Sequence, residues 1–318
     1  MKKRKVALVL GSGGAKGYAH IGVISALQNF KAEITSIAGT SMGALIGGLY
    51  AAGKLNESYN WLKSLSNSDV FNLTDLKNFS HNGLIDGEYI FSKLHKFIGD
   101  IRIEQLPIKY CAIAANLDTG KEVVFRTGRL LDAIRASISL PLVFRPYIIN
   151  GKRYVDGGVV NGLPINRVER TKDDIVIAVN LNTYGEIIEK QEMFNIFTGF
   201  SSGTIKFTDI IGKASSGFFP EIIRFFTDEN FINILLNSFY ISLKQNKIMM
   251  KEMMKPEMYI NIDLQGHDTF SFSEAEAIMK IGYNQMTTQL INKEMISPKS
   301  IKKPLEIPKG SEFFEFFK

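Results

Sequence analysis

The chain has 318 residues, 45% of them hydrophobic and 22% charged, enough to bury a substantial core in the ordinary globular range. Its single cysteine, Cys111, excludes an internal disulfide and suits a reducing cytoplasm. The formal charge of +6 would suit an anionic surface, but much of the excess lies in the first five residues and in 299–309; without a basic helix or aromatic-interleaved patch, nucleic-acid binding is not expected.

In chain order, the basic start leads into an apolar run too short for a signal-peptide core. That run, Val6-Ala-Leu-Val-Leu10, ends in glycines and predicts a strand buried on both faces. A helix is expected from about Tyr18 to Asn29 and a second strand at Ile34-Thr-Ser-Ile-Ala38. This strand runs through Gly39-Thr-Ser-Met-Gly43 into a helix from Met42 to Ala52, stopped by Gly53. Strand, helix, strand, helix implies a parallel sheet covered on both faces.

Further strands are expected at Ile108 to Asn116, Glu122 to Thr127, Tyr147 to Val155, Ile175 to Asn180 and Met258 to Ile262. Ser273 and Glu276 read as a capping box opening a helix that runs to about Leu290. One domain over 6–290 is therefore expected, with a helical insert or lid over about 184–250 and a tail over 291–318. In the insert, Phe218 to Phe226 and Phe231 to Leu236 suit either helices packed on the core or an interfacial anchor, and Phe313 to Phe317 in the tail has the same two readings. No uncharged apolar stretch reaches the ~18 residues needed to cross a bilayer.

The chemistry concentrates in three places. Gly39-Thr-Ser41-Met-Gly43 matches the G-x-S-x-G nucleophile elbow, and it falls where a strand gives way to a helix, as that motif requires. The helix N-terminus beneath Ser41 favours developing negative charge. A serine nucleophile also needs donors for its tetrahedral oxyanion, each worth about 3 to 4 kcal/mol. Gly11-Ser-Gly-Gly14-Ala-Lys-Gly17 offers backbone N–H groups between a strand and a helix.

A P-loop reading of those glycines fails, because Lys16 precedes Gly17 and Tyr18 follows it. A dinucleotide reading keeps some support from the spacing of Gly11, Gly13 and Gly17 and from Glu33, although Glu33 precedes the second strand rather than closing it. Plain tight packing of strand on helix is a third reading. None of the four histidines, His20, His81, His95 and His267, has a setting that marks a triad, and each reads as a surface or capping residue. Asp156-Gly157-Gly158, a carboxylate ending an apolar segment, is the better candidate for a base.

Together the glycine loop, the elbow and the Asp-Gly-Gly turn, in this order, resemble the patatin-like phospholipases. The segment Ala136-Ser-Ile-Ser-Leu-Pro141, leading through Asn150-Gly-Lys to Asp156, is similar to that family's approach to its aspartate. The resemblance implies a three-layer α/β/α sandwich with a mainly parallel central sheet, and a Ser–Asp dyad acting on phospholipids, lysophospholipids or neutral acyl esters. By motif position Ser41 is the nucleophile, Asp156 the base, and Gly13, Gly14 and the N–H of Met42 the oxyanion hole. Gly11, Lys16, Gly17, Gly39, Gly43, Gly157 and Gly158 support the motifs, and Ser12 stands where the family often has a third glycine. No metal or cofactor is implied. The expected partner is a lipid or lysophospholipid, met in the cytoplasm or peripherally at a membrane. A thioesterase or acyltransferase with the same dyad, and a non-catalytic lipid-binding regulator, are the alternatives.

Overall fold

A computed structural model describes residues 4–66, 69, 87–141, 143–181, 229–264, 266, 267, 269 and 271–293, with the backbone alone over 229–240. The elements are β1 (Lys5–Leu10), α1 (Tyr18–Asn29), β2 (Glu33–Thr40), α2 (Met42–Ala51), α3 (Leu55–Ser64), α4 (Glu88–Ile98), β3 (Lys109–Asn116) and β4 (Glu122–Phe125). They continue with α5 (Leu130–Ile138), β5 (Tyr147–Ile149), β6 (Lys152–Asp156), α6 (Gly158–Asn161), β7 (Ile175–Asn180), α7 (Glu229–Met254), β8 (Met258–Asn261) and α8 (Ala275–Asn292).

The chain divides into two compact units, Met1–Thr183 with Gln245–Lys318, and Tyr184–Lys244. The boundary falls inside α7, so residues 245–250, expected in the insert, belong with the first unit. Phe218 to Phe226 and the tail with Phe313 to Phe317 lie outside the described residues, as do the side chains of Phe231 to Leu236. Among the described residues no helix is long and apolar enough to cross a membrane.

In the first unit the strands form one sheet in the order β5-β6-β3-β2-β1-β7-β8, with β4 also on β3. The five strands β3-β2-β1-β7-β8 run parallel, and β4, β5 and β6 join antiparallel. This is an α/β architecture with a mixed, mostly parallel sheet flanked by helices. Strand β1 shows why its run is continuously apolar. Val6, Leu8 and Leu10 point into a large core shared with α1, α2 and α8, while Ala7 and Val9 point to the other face, against Leu163 and Ile165. Each fully buried Val or Leu contributes about 1.5–3 kcal/mol, so both faces hold the strand centrally. On the second face the last turns of α7 pack where Lys251 Nζ lies 4.6 Å from the centre of the Tyr259 ring.

Three features differ from expectation. The single strand expected over Tyr147 to Val155 is a hairpin of β5 and β6, because Asn150 and Gly151 both take positive φ, 51° and 77°, as a tight Asn-Gly turn requires. The capping box is not formed. A 3₁₀ turn spans Phe272–Glu274, α8 starts at Ala275 with no side-chain cap, and Glu276 pairs instead with Lys63 at 3.0 Å. Burying Phe272 edge-on against Tyr18, 6.3 Å between ring centres, draws the chain inward before the helix can begin. Helices α3, α4 and α5 were not expected, although the spacing of Ile90, Phe91, Leu94 and Ile98 on α4 is helical.

One edge of β3 sets up the site. Ala112 and Ile113 pair with Gly39 and Thr40 of β2 on one side and with β4 on the other. Ala114 and Ala115 pair with that same β4 and with Asp156 and Val155 of β6. Strands β2 and β6 therefore share one edge of β3 and meet end to end. Thr40 stands opposite Ile113 and Asp156 opposite Ala114, on consecutive residues of β3.

Candidate active site

This end-to-end meeting puts Ser41, the residue after β2, beside Asp156, the last of β6. The Ser41 side chain stands close enough to the Asp156 carboxylate to favour its ionised form. Ser41 has φ 57° and ψ −125°, a left-handed conformation rare for a residue with a Cβ and costing on the order of 1–3 kcal/mol. Its neighbours make the bend feasible. A Cβ at Gly39 would sit 2.4 Å from the carbonyl oxygen of Gly43, and one at Gly43 would sit 2.2 Å from that of Leu10. The same crowding seats the elbow against the glycine loop, where a Cβ on Gly17 would fall 1.9 Å from Met42 Cγ. Tyr110 of β3 steadies the first turn of α2 by donating its hydroxyl to the Ala44 carbonyl at 2.7 Å.

The end of α5 holds both partners. Ser41 N–H donates to Ser137 Oγ at 2.9 Å, and Asp156 N–H donates to the Ser139 carbonyl at 2.9 Å. Two serines of the Ala136 to Pro141 segment thus fix the two backbones against each other. Gly157 makes room for this, since a Cβ there would lie 2.2 Å from the Ile113 carbonyl oxygen. Gly158 N–H donates to Asp156 Oδ1 at 2.7 Å.

Asp156 is 3% exposed, and burial pushes its pKa from the ordinary 3.8 up to about 6. The nearby Ser41 side chain, the hydrogen bond from Gly158 N–H and the charge of Lys247 act in the opposite direction without cancelling the effect. The carboxylate is thus mostly ionised at neutral pH yet a stronger base than a solvated aspartate.

The glycine loop is strapped on all sides. Gly11 N–H donates to the Val179 carbonyl at 3.0 Å, Ser12 N–H to that of Gly162 at 2.9 Å and Ala15 N–H to that of Thr269 at 2.8 Å. Among the described residues no acceptor meets the N–H groups of Gly13, Gly14 or Met42. Lys16 is buried in the 3₁₀ turn that follows, Gly14–Gly17.

His20 corrects the expectation of a surface or capping residue. It is fully buried, and its Nε2 lies 2.8 Å from the Gly11 carbonyl oxygen. Burial is the main reason its pKa falls from 6.5 to about 4, so it is neutral at pH 7 and donates to the loop through Nε2. The dinucleotide reading loses its acidic partner: Glu33 begins β2 opposite Lys5, about 20 Å of strand from the loop.

Lys247, on α7, escaped the sequence reading. It is 2% exposed and donates from Nζ to the Ser12 carbonyl at 2.8 Å. Nothing around Gln245-Asn-Lys-Ile-Met-Met250 marks it locally. His20, by contrast, was legible as one polar residue in a helix otherwise apolar from Tyr18 to Ile24.

A parallel α/β sheet whose strand-to-helix turn presents a strained serine beside a buried carboxylate defines a nucleophile-elbow protein. More narrowly, the chain belongs to the patatin-like phospholipase family, whose profile matches residues 8–168. An uncharacterized NTE family protein of Mycobacterium bovis is 46% identical over 178 residues, covering 56% of this chain and 49% of that protein. Lysophospholipase NTE1 of Yarrowia lipolytica is 32% identical over 181 residues, covering 56% of this chain and 13% of that one. The chain thus spans about half the length of the mycobacterial relative. VipD of Legionella pneumophila aligns over 92% of this chain and 67% of its own, at 14% identity and a TM-score of 0.45.

Proposed function

We propose that the protein is a serine acyl hydrolase that cleaves fatty acyl esters of phospholipids or lysophospholipids through an acyl-enzyme. Asp156 takes the proton of Ser41 as its oxygen attacks the ester carbonyl. The tetrahedral oxyanion is received by the N–H groups of Gly13, Gly14 and Met42. Protonated Asp156 then gives its proton to the departing alcohol, and water repeats the cycle on the acyl-serine, releasing the fatty acid.

The observation that carries this reading is the Ser41 side chain set beside a desolvated carboxylate, with amides alongside that meet no acceptor among the described residues. Among the described residues, the histidine packed on the glycine loop, His20, is turned to the Gly11 carbonyl, which leaves Asp156 as the base. The lipid class follows from the family and from the lysophospholipase name of the yeast relative. We place the enzyme in the cytoplasm, meeting lipid surfaces peripherally, with 184–244 as a lid.

The test is profiling of products from a mixed lipid extract, alongside labelling by a fluorophosphonate probe. The wild type should release fatty acids and label at Ser41, and Ser41→Ala should do neither. Normal turnover by correctly folded Ser41→Ala or Asp156→Asn would remove the dyad from the mechanism.

A further inference from the structure

The Ser12 carbonyl and the Gly13 N–H belong to one peptide unit. A trans peptide is planar, and its C=O and N–H point in opposite directions. Whatever holds the Ser12 oxygen therefore aims the Gly13 hydrogen. The group that holds it is the ammonium of Lys247, at 2.8 Å.

The lysine has a built channel. A Cβ on Gly162 would lie 2.8 Å from Lys247 Cε and 3.3 Å from its Cγ, so the stem runs over the glycine's bare face. Gly162 in turn accepts the Ser12 N–H at 2.9 Å. One residue earlier in α7, Asn246 Nδ2 donates to the Val159 carbonyl at 3.3 Å, fastening this turn to the segment that follows Asp156.

We propose that Lys247 is a positioning residue for the acyl-transfer step: its ammonium fixes and polarises the Ser12–Gly13 peptide so that the Gly13 N–H is aimed at the oxyanion. This rests on the assignment of Gly13 to the oxyanion hole. A cation on the peptide oxygen draws electron density from the N–H and strengthens it as a donor, in a buried setting where such effects are large. The donor is thus arranged before the substrate arrives, which is where electrostatic catalysis gains most.

The same charge acts on Asp156, favouring its ionised form. The groups around the carboxylate are the Ser41 hydroxyl from the elbow, the Gly158 N–H from its own turn and Lys247 from α7. His20 of α1 also feels Lys247 and is neutral at pH 7.

The experiment compares full-length wild type, Lys247→Met and Gly162→Ala on one activated ester across pH. Met fills the channel without a donor or charge. Lys247→Met should lower kcat by about 10- to 100-fold with KM little changed, and slow fluorophosphonate labelling of Ser41 in parallel. It should also move the acid limb of kcat/KM to higher pH, a response that a merely structural role would not produce.

Gly162→Ala disturbs the lysine from the opposite side. Its backbone, at φ −74° and ψ −11°, accepts alanine, so it serves as the second probe should Lys247→Met fail to fold. It should reproduce the kcat loss and the direction of the pH shift. A folded variant with wild-type kcat and an unmoved acid limb overturns the role of Lys247 while leaving the dyad intact. A wild type that neither hydrolyses esters nor labels at Ser41 overturns the dyad itself.

Discussion

Replacing Asp156 by asparagine should abolish turnover and at the same time stabilise the fold. The carboxylate is fully buried, and its pKa of about 6 against an ordinary 3.8 is a shift of roughly 2 units, or about 3 kcal/mol. The sign follows from linkage. A carboxyl whose folded pKa is raised binds its proton more tightly in the native than in the unfolded chain. Relative to a neutral group, its cost is nil below pH 3.8, grows as pH rises from 3.8 through about 6, and reaches that full amount above it. Asparagine carries no charge, and its Oδ1 can still accept from Gly158 N–H. We expect a net gain of about 1–3 kcal/mol at pH 8, reduced from the full value by altered bonding to Ser41. Urea denaturation at pH 8 and pH 4.5 measures it, with the gain at pH 4.5 well under that at pH 8. No gain at pH 8, or an equal gain at both, would refute the claim that burial costs the carboxylate its stability.

The remaining expectations are more local. Ser41→Gly should relieve the strain at φ 57° and raise stability by about 1 kcal/mol in thermal melts, while eliminating probe labelling. Gly157→Ala should destabilise by about 2–4 kcal/mol or prevent folding, because its Cβ meets the Ile113 carbonyl oxygen at 2.2 Å; a melt within a degree of wild type would show that β3 can yield. His20 makes the wild type lose stability as pH falls from 6.5 toward 4, by up to about 3 kcal/mol, since the unfolded chain takes up the proton more readily. His20→Asn should flatten that part of the stability-against-pH curve, and an unchanged slope would assign the loss elsewhere. In kinetics, the acid limb of kcat/KM for the wild type should fall near pH 6, where Asp156 takes up its proton.

Much of the fold was legible because its signals are local. The run Val6 to Leu10 needed no partner to read as a two-faced strand, and the burial of all five side chains follows from that. The elbow was legible for the same reason: glycine at 39 and 43 around Ser41 states the crowding of a tight turn before the crowding atoms are known. The two failures differ in kind: a long-range contact, Phe272 packing on Tyr18, overrode the capping box at Ser273, whereas Asn150-Gly151, which turns one expected strand into a hairpin, is a local signal that was passed over.

The sequence by itself determined which chemical groups the protein carries and what local backbone holds them: a serine on a strained turn, a glycine loop with spare amides, and a carboxylate before two glycines. Only the tertiary structure decided that the serine and the carboxylate meet, because that depends on β2 and β6 sharing one edge of β3. It also decided the basicity of Asp156 and the part played by Lys247. Desolvation and buried charge are sums over everything packed nearby, and no stretch of chain contains its own surroundings.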